Sequence, residues 1–329
     1  MKFLITGATG FIGRNMVSFL VKNGHSVQIL ALPDTVPDSL NHSSIEVFYG
    51  DMTDSNSLYG LGENCEIVIH LASKAIDWGT KKSFYQSIYQ GTQNLLEATF
   101  KRVDRFVYVS SIAAVGGNRH LDGFTEADTC LQTGMPYGDV KLETEELVRE
   151  YAQNYGIPIS IVRPGSVVGP GSVWTREPLK MMKSFPGLPL VDRGRHLANL
   201  IDVMDMVNGI YLTATLPQAV GKTYFFVSDW DITWKQYLED LGKLAGVRPK
   251  GSIPYGVAYK LGYICEKIFV PLGIRPPLTR HGVASVGRNH LVSTQKARKE
   301  LGWQPLVSYE EALEKIKQSL EEEEHVFSA

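Results

Sequence analysis

The sequence predicts a doubly wound α/β fold: a parallel sheet with helices on both faces, and a smaller C-terminal α/β part that folds back over the strand ends. Three observations predict it. Short β-branched runs alternate with stretches of helical periodicity through the first two thirds of the chain. Those runs are apolar along their whole length rather than at every second residue. A glycine-rich turn follows the first run immediately. Strands alternating with helices imply right-handed βαβ crossovers and a parallel sheet. Strands apolar on both sides imply cover on both faces.

In order along the chain, Phe3-Leu4-Ile5 is the first strand. Phe11 to Lys22 is the first helix, because Ile12, Met16, Phe19 and Leu20 share a face, and Asn23-Gly24 stops it. Val27 to Leu30, Ile45 to Phe48 and Ile67 to Ile69 are the next strands. A helix from about Phe84 to Phe100 leads to the strand Phe106 to Val109. A second long helix, from about Pro136 to Asn154, leads to Ile159 to Val162. After Pro164 the pattern changes. Gly165 to Gly194 is rich in Gly and Pro and reads as loops around short elements, while Ile232 to Leu244 and Ser308 to Glu323 read as helices. The acidic run Glu321 to Glu324 reads as a solvated end. The expected division is 1–165 for the first unit, its core extending to about 210, with 166–329 supplying most of a substrate-binding part interleaved with it.

Composition narrows the function classes. The chain has 329 residues and a net charge of -2, with 43% hydrophobic and 21% charged residues. That is ordinary for a soluble globular protein and carries no electrostatic footprint for nucleic acid. Cys65, Cys130 and Cys265 are far apart and in no metal spacing, so they read as reduced thiols suited to the cytoplasm. No metal site is expected. No apolar stretch reaches transmembrane length without a charge; the nearest, Ile253 to Ile274, is interrupted by Lys260, Glu266 and Lys267. Its Tyr255, Tyr259, Tyr263 and Phe269 fit ordinary packing, with a substrate lid or a membrane-surface contact as the sharper alternatives.

Thr6-Gly7-Ala8-Thr9-Gly10-Phe11-Ile12-Gly13 sits between the first strand and the first helix. Glycines there permit a tight turn and a close backbone approach, and a helix N-terminus offers free N–H groups to a pyrophosphate. The pattern therefore predicts a dinucleotide, NAD or NADP. At the end of the second strand an acid would select NAD, and an Arg would select NADP. Ala31 and Leu32 stand there instead, with Asp34 slightly late and Arg14 near the turn. NAD is the favoured reading.

Tyr137 and Lys141 are four residues apart on a helix and share a face. A neighbouring ammonium favours a phenolate, so such a Tyr can exchange a proton with an alcohol or carbonyl oxygen. Ser111, just beyond the fifth strand, lies at the carboxyl edge of the sheet, where its hydroxyl can bind the same oxygen.

In this order the residues resemble the extended short-chain dehydrogenase/reductase superfamily, the NAD-dependent epimerase/dehydratase family. The resemblance runs over nearly the whole chain. Thr6 to Gly13 matches TGxxGxxG, and Tyr137-Gly138-Asp139-Val140-Lys141 matches YxxxK. Gly50-Asp51-Met52 resembles the segment beside the adenine, while His70-Leu71-Ala72, followed by Ser73, resembles a loop lining the cofactor, with His70 itself read as structural. Arg163 to Gly171, with Pro164, Gly165 and Val167, resembles the loop beside the nicotinamide. Gly91 to Ala98, Asp202 to Asp205 and Lys296 to Pro305 are similar to further family segments. The resemblance implies Ser111, Tyr137 and Lys141 as catalytic residues. It implies cofactor contacts from Gly7, Thr9, Gly10, Phe11, Ile12, Gly13, Arg14, Asp51, Met52, Leu71, Ala72, Ser73, Tyr137, Lys141, Pro164, Gly165 and Val167. It also implies a homodimer. One departure stands out: Ile88 occupies the position where the family often carries an Asn that supports a proton relay.

Within the family, Ile112 and Ala113 stand where dehydratases usually show Asp-Glu. Asp192 to His196 resembles the epimerase segment only loosely, whereas Gly273 to Arg280 is similar to the 3β-hydroxysteroid dehydrogenase and dihydroflavonol reductase branch. The expected activity is an NAD(P)-dependent interconversion of a secondary alcohol and a ketone on a hydrophobic small molecule, with Trp78 and Trp174 as candidates to shape its pocket. A sugar-nucleotide epimerase with tightly bound NAD is the rival, and a non-catalytic dinucleotide sensor on the same fold is the third reading.

Overall fold

The computed structural model describes residues 1–328, with side chains to Glu322. In chain order, strand β1 (Lys2–Thr6), helix α1 (Phe11–Lys22), β2 (Ser26–Ala31), β3 (Ile45–Tyr49) and β4 (Ile67–His70) come first. Next come helix α2 (Lys81–Phe84), helix α3 (Gly91–Thr99), β5 (Arg105–Val109), α4 (Pro136–Tyr155) and β6 (Ile159–Pro164). The rest comprises β7 (Ser166–Val168), α5 (Val173–Lys183), β8 (Leu190–Val191), β9 (Leu200–Asp202), α6 (Val203–Thr215) and β10 (Thr223–Phe226). Last come α7 (Trp234–Leu244), β11 (Ser252–Ile253), α8 (Tyr255–Phe269), α9 (Arg280–Val286), α10 (Gln295–Leu301) and α11 (Tyr309–Ser328).

Seven strands form one parallel sheet in the order β10-β6-β5-β4-β1-β2-β3. The order reverses between β1 and β4, which opens a crevice at the carboxyl ends of the strands. Phe3, Ile5, Val27, Ile29 and Ile69 point to one face of the sheet and pack with Met16 and Leu20 of α1 and with Met206 and Ile210 of α6. Leu4, Val68, Phe106 and Tyr108 point to the other and pack with Leu95, Leu96 and Val148 of α3 and α4. Both faces are therefore covered, as unbroken apolar strands require.

Three details differ from the sequence reading. The single helix expected from Phe84 to Phe100 is interrupted: a π-helical segment, Tyr85–Gln90, joins α2 to α3. The stretch from Gly165 to Gly194 holds an 11-residue helix, α5, despite Pro178 inside it. Ser172 caps that helix by accepting a hydrogen bond from the Trp174 N–H, and the buried Thr175, Leu179 and Met182 fix it to the C-terminal core. The sheet also takes its last strand, β10, from 223–226, so it closes only after the chain has left it at Pro164 and returned. The expected solvated end at Glu321–Glu324 lies in part outside the described side chains.

Two C-terminal segments singled out in the sequence meet in space. The Asp205 carboxylate accepts hydrogen bonds from the Leu306 and Val307 N–H groups at 2.9 and 3.2 Å. The indole of the fully buried Trp303 donates to the Asp205 carbonyl at 3.0 Å. These contacts tie α10 and the loop after it to the start of α6.

Candidate active site

The glycine turn leaves β1 at Thr6 and enters α1 at Phe11. Gly7 adopts φ +71, and a Cβ there would lie 2.7 Å from the Ala72 nitrogen. A Cβ on Gly13 would lie 2.0 Å from the Gly7 carbonyl oxygen. Side chains are thus excluded by neighbouring backbone at both positions. No side chain caps α1: its N-cap is Gly10. Among the described residues the first N–H groups of the helix therefore have no partner, and the helix dipole adds to their attraction for an anion. A bare backbone cradle at a helix N-terminus fits the pyrophosphate of a dinucleotide.

A buried chain of hydrogen bonds braces that turn. Thr6 Oγ1 meets His70 Nδ1 at 2.6 Å, and His70 Nε2 meets Thr92 Oγ1 at 2.9 Å. Thr92 donates onward to the Ile88 carbonyl at 2.6 Å, and the Ala72 N–H donates to Thr6 Oγ1 at 3.2 Å. Burial, aided by the charge of Lys141, pushes the His70 imidazole down to about 3, so it is neutral. His70 is accordingly a structural link between the turn and the helix behind it.

Nearly all the residues expected to hold a cofactor lie beyond the carboxyl ends of strands around the crevice. Gly7, Thr9, Gly10, Phe11, Ile12 and Gly13 follow β1; Asp51 and Met52 follow β3; Leu71, Ala72 and Ser73 follow β4. Pro164, Gly165 and Val167 lie at the end of β6 and in β7, where a Cβ on Gly165 would meet the Asn199 carbonyl oxygen at 2.4 Å. The Asp51 carboxylate accepts hydrogen bonds from the N–H and hydroxyl of Thr53, both at 2.8 Å, and the Asn94 amide donates to the Met52 carbonyl at 2.8 Å. Arg14 is exposed on the first turn of α1 and lines a separate groove of about 430 Å³ with Ser39 and His42. At the end of β2, Ala31 is buried and Leu32 is exposed, so no charged selector stands there.

Helix α4 carries the proton-handling pair. Gly138 lets the helix start close to the turn that follows β5, since a Cβ there would lie 2.5 Å from the Ala113 carbonyl oxygen. Lys141 is buried, and its ammonium donates to the Val109 carbonyl at 3.0 Å and lies 4.9 Å from the centroid of the Tyr108 ring. Burial lowers its pKa to about 7, against the charge of Glu145. Burial raises the Tyr137 phenol above its ordinary value, and the nearby Ser111 and Ser73 hydroxyls pull the other way. In the protein alone, then, desolvation outweighs any help from the ammonium, which is directed at Val109 rather than at the phenol. Ser111 accepts the Ala113 N–H at 3.1 Å and caps the short turn that follows β5.

Three neighbours, Glu145, Arg149 and His281, had no part in the sequence reading, and Arg163 entered it only as the first residue of a family segment. Glu145 is fully buried one turn beyond Lys141 and binds Arg163 through two hydrogen bonds, Nε at 2.9 Å and a terminal nitrogen at 2.6 Å. Arg149 adds a third at 2.9 Å. The four-residue spacing of Lys141, Glu145 and Arg149 was a visible signal, but the partner on β6 was not. His281 packs edge-on against Tyr137, with ring centroids 5.4 Å apart and planes at 70°. It lies one residue beyond the segment recognised in the sequence, and a lone His gave no signal.

Tyr137 and His281 line a cavity of about 210 Å³ together with Asp77, Trp78, Phe84, Met135, Val270 and the paired Glu266 and Arg280. Trp78 therefore stands where the sequence placed it. Trp174 does not: it packs on Trp234, centroids 5.3 Å apart, in the C-terminal core. Ile88 fills the position of the expected relay Asn and packs with Phe84, Val140 and Tyr137. The π-helical segment around it turns an apolar side chain, not an amide, toward α4.

Known proteins resemble the chain along most of its length. A family described as "NAD dependent epimerase/dehydratase family" matches residues 3–226. A 2-alkyl-3-oxoalkanoate reductase of Stenotrophomonas maltophilia is 28% identical, the match covering 97% of this chain and 99% of that protein. The decarboxylating sterol-4-alpha-carboxylate 3-dehydrogenase of Mus musculus is 26% identical, over 97% and 90% respectively. The crystal structure of a UDP-glucose 4-epimerase from Thermotoga maritima superposes with a TM-score of 0.78 at 22% identity, over 98% and 99%, and so shares the fold.

Proposed function

The chain belongs to the NAD dependent epimerase/dehydratase family, a family of NAD-dependent oxidoreductases and epimerases, and we propose that it interconverts a secondary alcohol and a ketone on a hydrophobic small molecule. The observation that carries this reading is Tyr137 at the wall of a partly apolar cavity, with the Ser111 hydroxyl beside it and Lys141 one helical turn away. Relatives named as a reductase and a dehydrogenase, matching almost end to end, support it. So does the bare cradle of Gly7, Gly10 and Gly13 for a dinucleotide.

When bound, the nicotinamide supplies or accepts the hydride. In the reducing direction Tyr137 donates its phenolic proton to the nascent alkoxide, and in the oxidising direction the phenolate accepts the alcohol proton. Ser111 orients the substrate oxygen. Lys141, held by the Val109 carbonyl in the protein alone, would favour the phenolate by its charge and offer hydrogen bonds to a ribose once the cofactor is bound. Residues 1–165 supply the dinucleotide side. Most of the substrate side comes from 166–329, of which α8 and α9 already line the cavity. NAD is preferred to NADP because no cation stands at the end of β2; Arg14 is the group that would meet a 2′-phosphate.

The test begins with the identity of the dinucleotide that co-purifies, by mass spectrometry, followed by a panel of hydrophobic alcohols and ketones. Net NAD(P)H turnover is expected, with Tyr137→Phe lowering kcat by about 10² to 10⁴. Unchanged kcat in Tyr137→Phe removes the assignment. A thermal shift with UDP-sugars and no net redox turnover makes the chain an epimerase instead.

A further inference from the structure

Helix α8 is half anchored and half open. Ala258 and Gly262 are buried, and Tyr255 stacks on Tyr259 with centroids 5.6 Å apart. A Cβ on Gly262 would lie 3.0 Å from the backbone at Thr279 and Arg280, so the helix sits tightly against the start of α9. The opposite side carries Val257, Leu261, Ile264 and Ile268, which at 100° per residue form one stripe. The turn after the helix folds back on it, with the Leu272 and Ile274 N–H groups donating to the Phe269 carbonyl at 3.1 Å, and extends the stripe with those two side chains. All six have between 43% and 65% of their surface open. Scattered exposed apolar residues are normal on a protein surface; a continuous stripe of six marks a contact surface.

The charges along the flank of the stripe, Lys260 and Lys267, are of one sign. The third exposed charge between Val257 and Arg275, Arg275 itself, is held by Asp77 and Glu177. The single acid in that span, Glu266, is turned inward and holds Arg280 at 2.6 Å. Lys260 and Lys267 lie together along one flank of the stripe. An isologous contact with a second copy would set this cationic rim against itself. An apolar stripe with a cationic flank and no exposed acid complements an anionic bilayer surface, with the helix lying in the interface plane. Among the described residues no helix is long and apolar enough to cross a membrane, so the contact is peripheral.

We propose that α8 and the turn after it form a docking surface for anionic lipid bilayers. The same segment lines the cavity beside Tyr137 through Glu266, Lys267, Val270 and Pro271, so docking sets the cavity near the lipid. The docking stands independently of the activity proposed above.

The experiment is flotation of the full-length protein with vesicles of phosphatidylcholine alone and of phosphatidylcholine with phosphatidylglycerol. Wild type is expected to float with the anionic vesicles, to bind neutral ones weakly, and to be released by salt. Leu261→Asp combined with Ile268→Asp is expected to lower the bound fraction at least tenfold with an unchanged melting temperature. Leu272→Asp, in the exposed turn, gives a second variant that does not depend on the helix. Wild type left unbound by anionic vesicles overturns the proposal, as does equal binding to both vesicle types. So does a wild-type dimer in sedimentation that the double Asp variant dissociates, because a second copy then covers the face.

Discussion

Gly13→Ala tests the cradle with the least chemistry changed. The new methyl would begin 2.0 Å from the Gly7 carbonyl oxygen and 2.7 Å from the Ala8 Cα. Ordinary contact needs about 3.4 Å, so the turn and the first turn of α1 must separate by more than 1 Å. Both obstructing groups are backbone, and no side chain can swing aside. Overpacking of this kind costs about 1–3 kcal/mol of stability. The separation also misplaces N–H groups at the helix start. Losing one hydrogen bond to a charged ligand costs roughly 1.5–3 kcal/mol, or about 10- to 100-fold in dinucleotide affinity. Gly10→Ala is the control for stability alone, because its Cβ would stand 3.2 Å from the same oxygen and needs only a slight shift. Calorimetric titration with NAD and NADP, beside thermal melts, reads both quantities. If Gly13→Ala binds its preferred dinucleotide as tightly as wild type does, the cofactor does not sit on this turn.

Three further outcomes follow from buried charge. Lys141 has its pKa lowered by burial to about 7 from 10.5, so between those values the unfolded chain holds a proton that the folded chain has released. Stability therefore rises with pH across that window. Lys141→Met should be more stable than wild type near pH 6.5 and lose most of that advantage by pH 9.5 in urea unfolding; a constant difference contradicts the burial argument. For His70, lowered to about 3 from 6.5, the unfolded chain takes up a proton first as pH falls, and stability drops between pH 6.5 and 3. His70→Gln should remove that part of the acid sensitivity, measurable by melting across the same range. Arg163→Ala strands the Glu145 carboxylate without its two hydrogen bonds and should destabilise by about 3–5 kcal/mol, whereas exchanging both residues for apolar ones of similar volume should cost much less.

The sequence carried what is local. The first helix runs from Phe11 to Lys22 as its periodicity requires, because its apolar spacing and the Asn23-Gly24 stop both act within a few residues. Tyr137 and Lys141 were legible for the same reason: their spacing on one helix is itself the geometry. Elements set by partners elsewhere were harder to read. Helix α5 contains Pro178 and follows a Gly-Pro-Gly stretch, so its own residues argue for a loop; burial of Leu179 and Met182 against α7 overrides them. Trp174 was assigned to the pocket by its place in the chain, and Trp234, 60 residues later, holds it in a different core. The π-helical segment left no local mark. His281 and Arg163 reach the site from other elements, His281 across more than 100 residues and Arg163 from the strand after α4, and no spacing announces either contact.

The late arrival of β10 bears on how this chain is made and cut. Until residue 226 has been synthesised, β6 has no neighbour on one side, and its N–H and C=O groups form an open edge. Ile161, Val162 and Arg163 are fully covered only when Thr223, Tyr224 and Phe225 pair with them. A nascent chain that has just passed Pro164 therefore exposes a long apolar strand edge, the kind of surface that templates aggregation. A fragment ending there should be poorly soluble when expressed alone, and one extended through Phe226 should be more tractable. The segment between 166 and 202, ahead of the crossover helix α6 that covers one face of the sheet, is in this sense an insertion that folding must set aside before the sheet can finish.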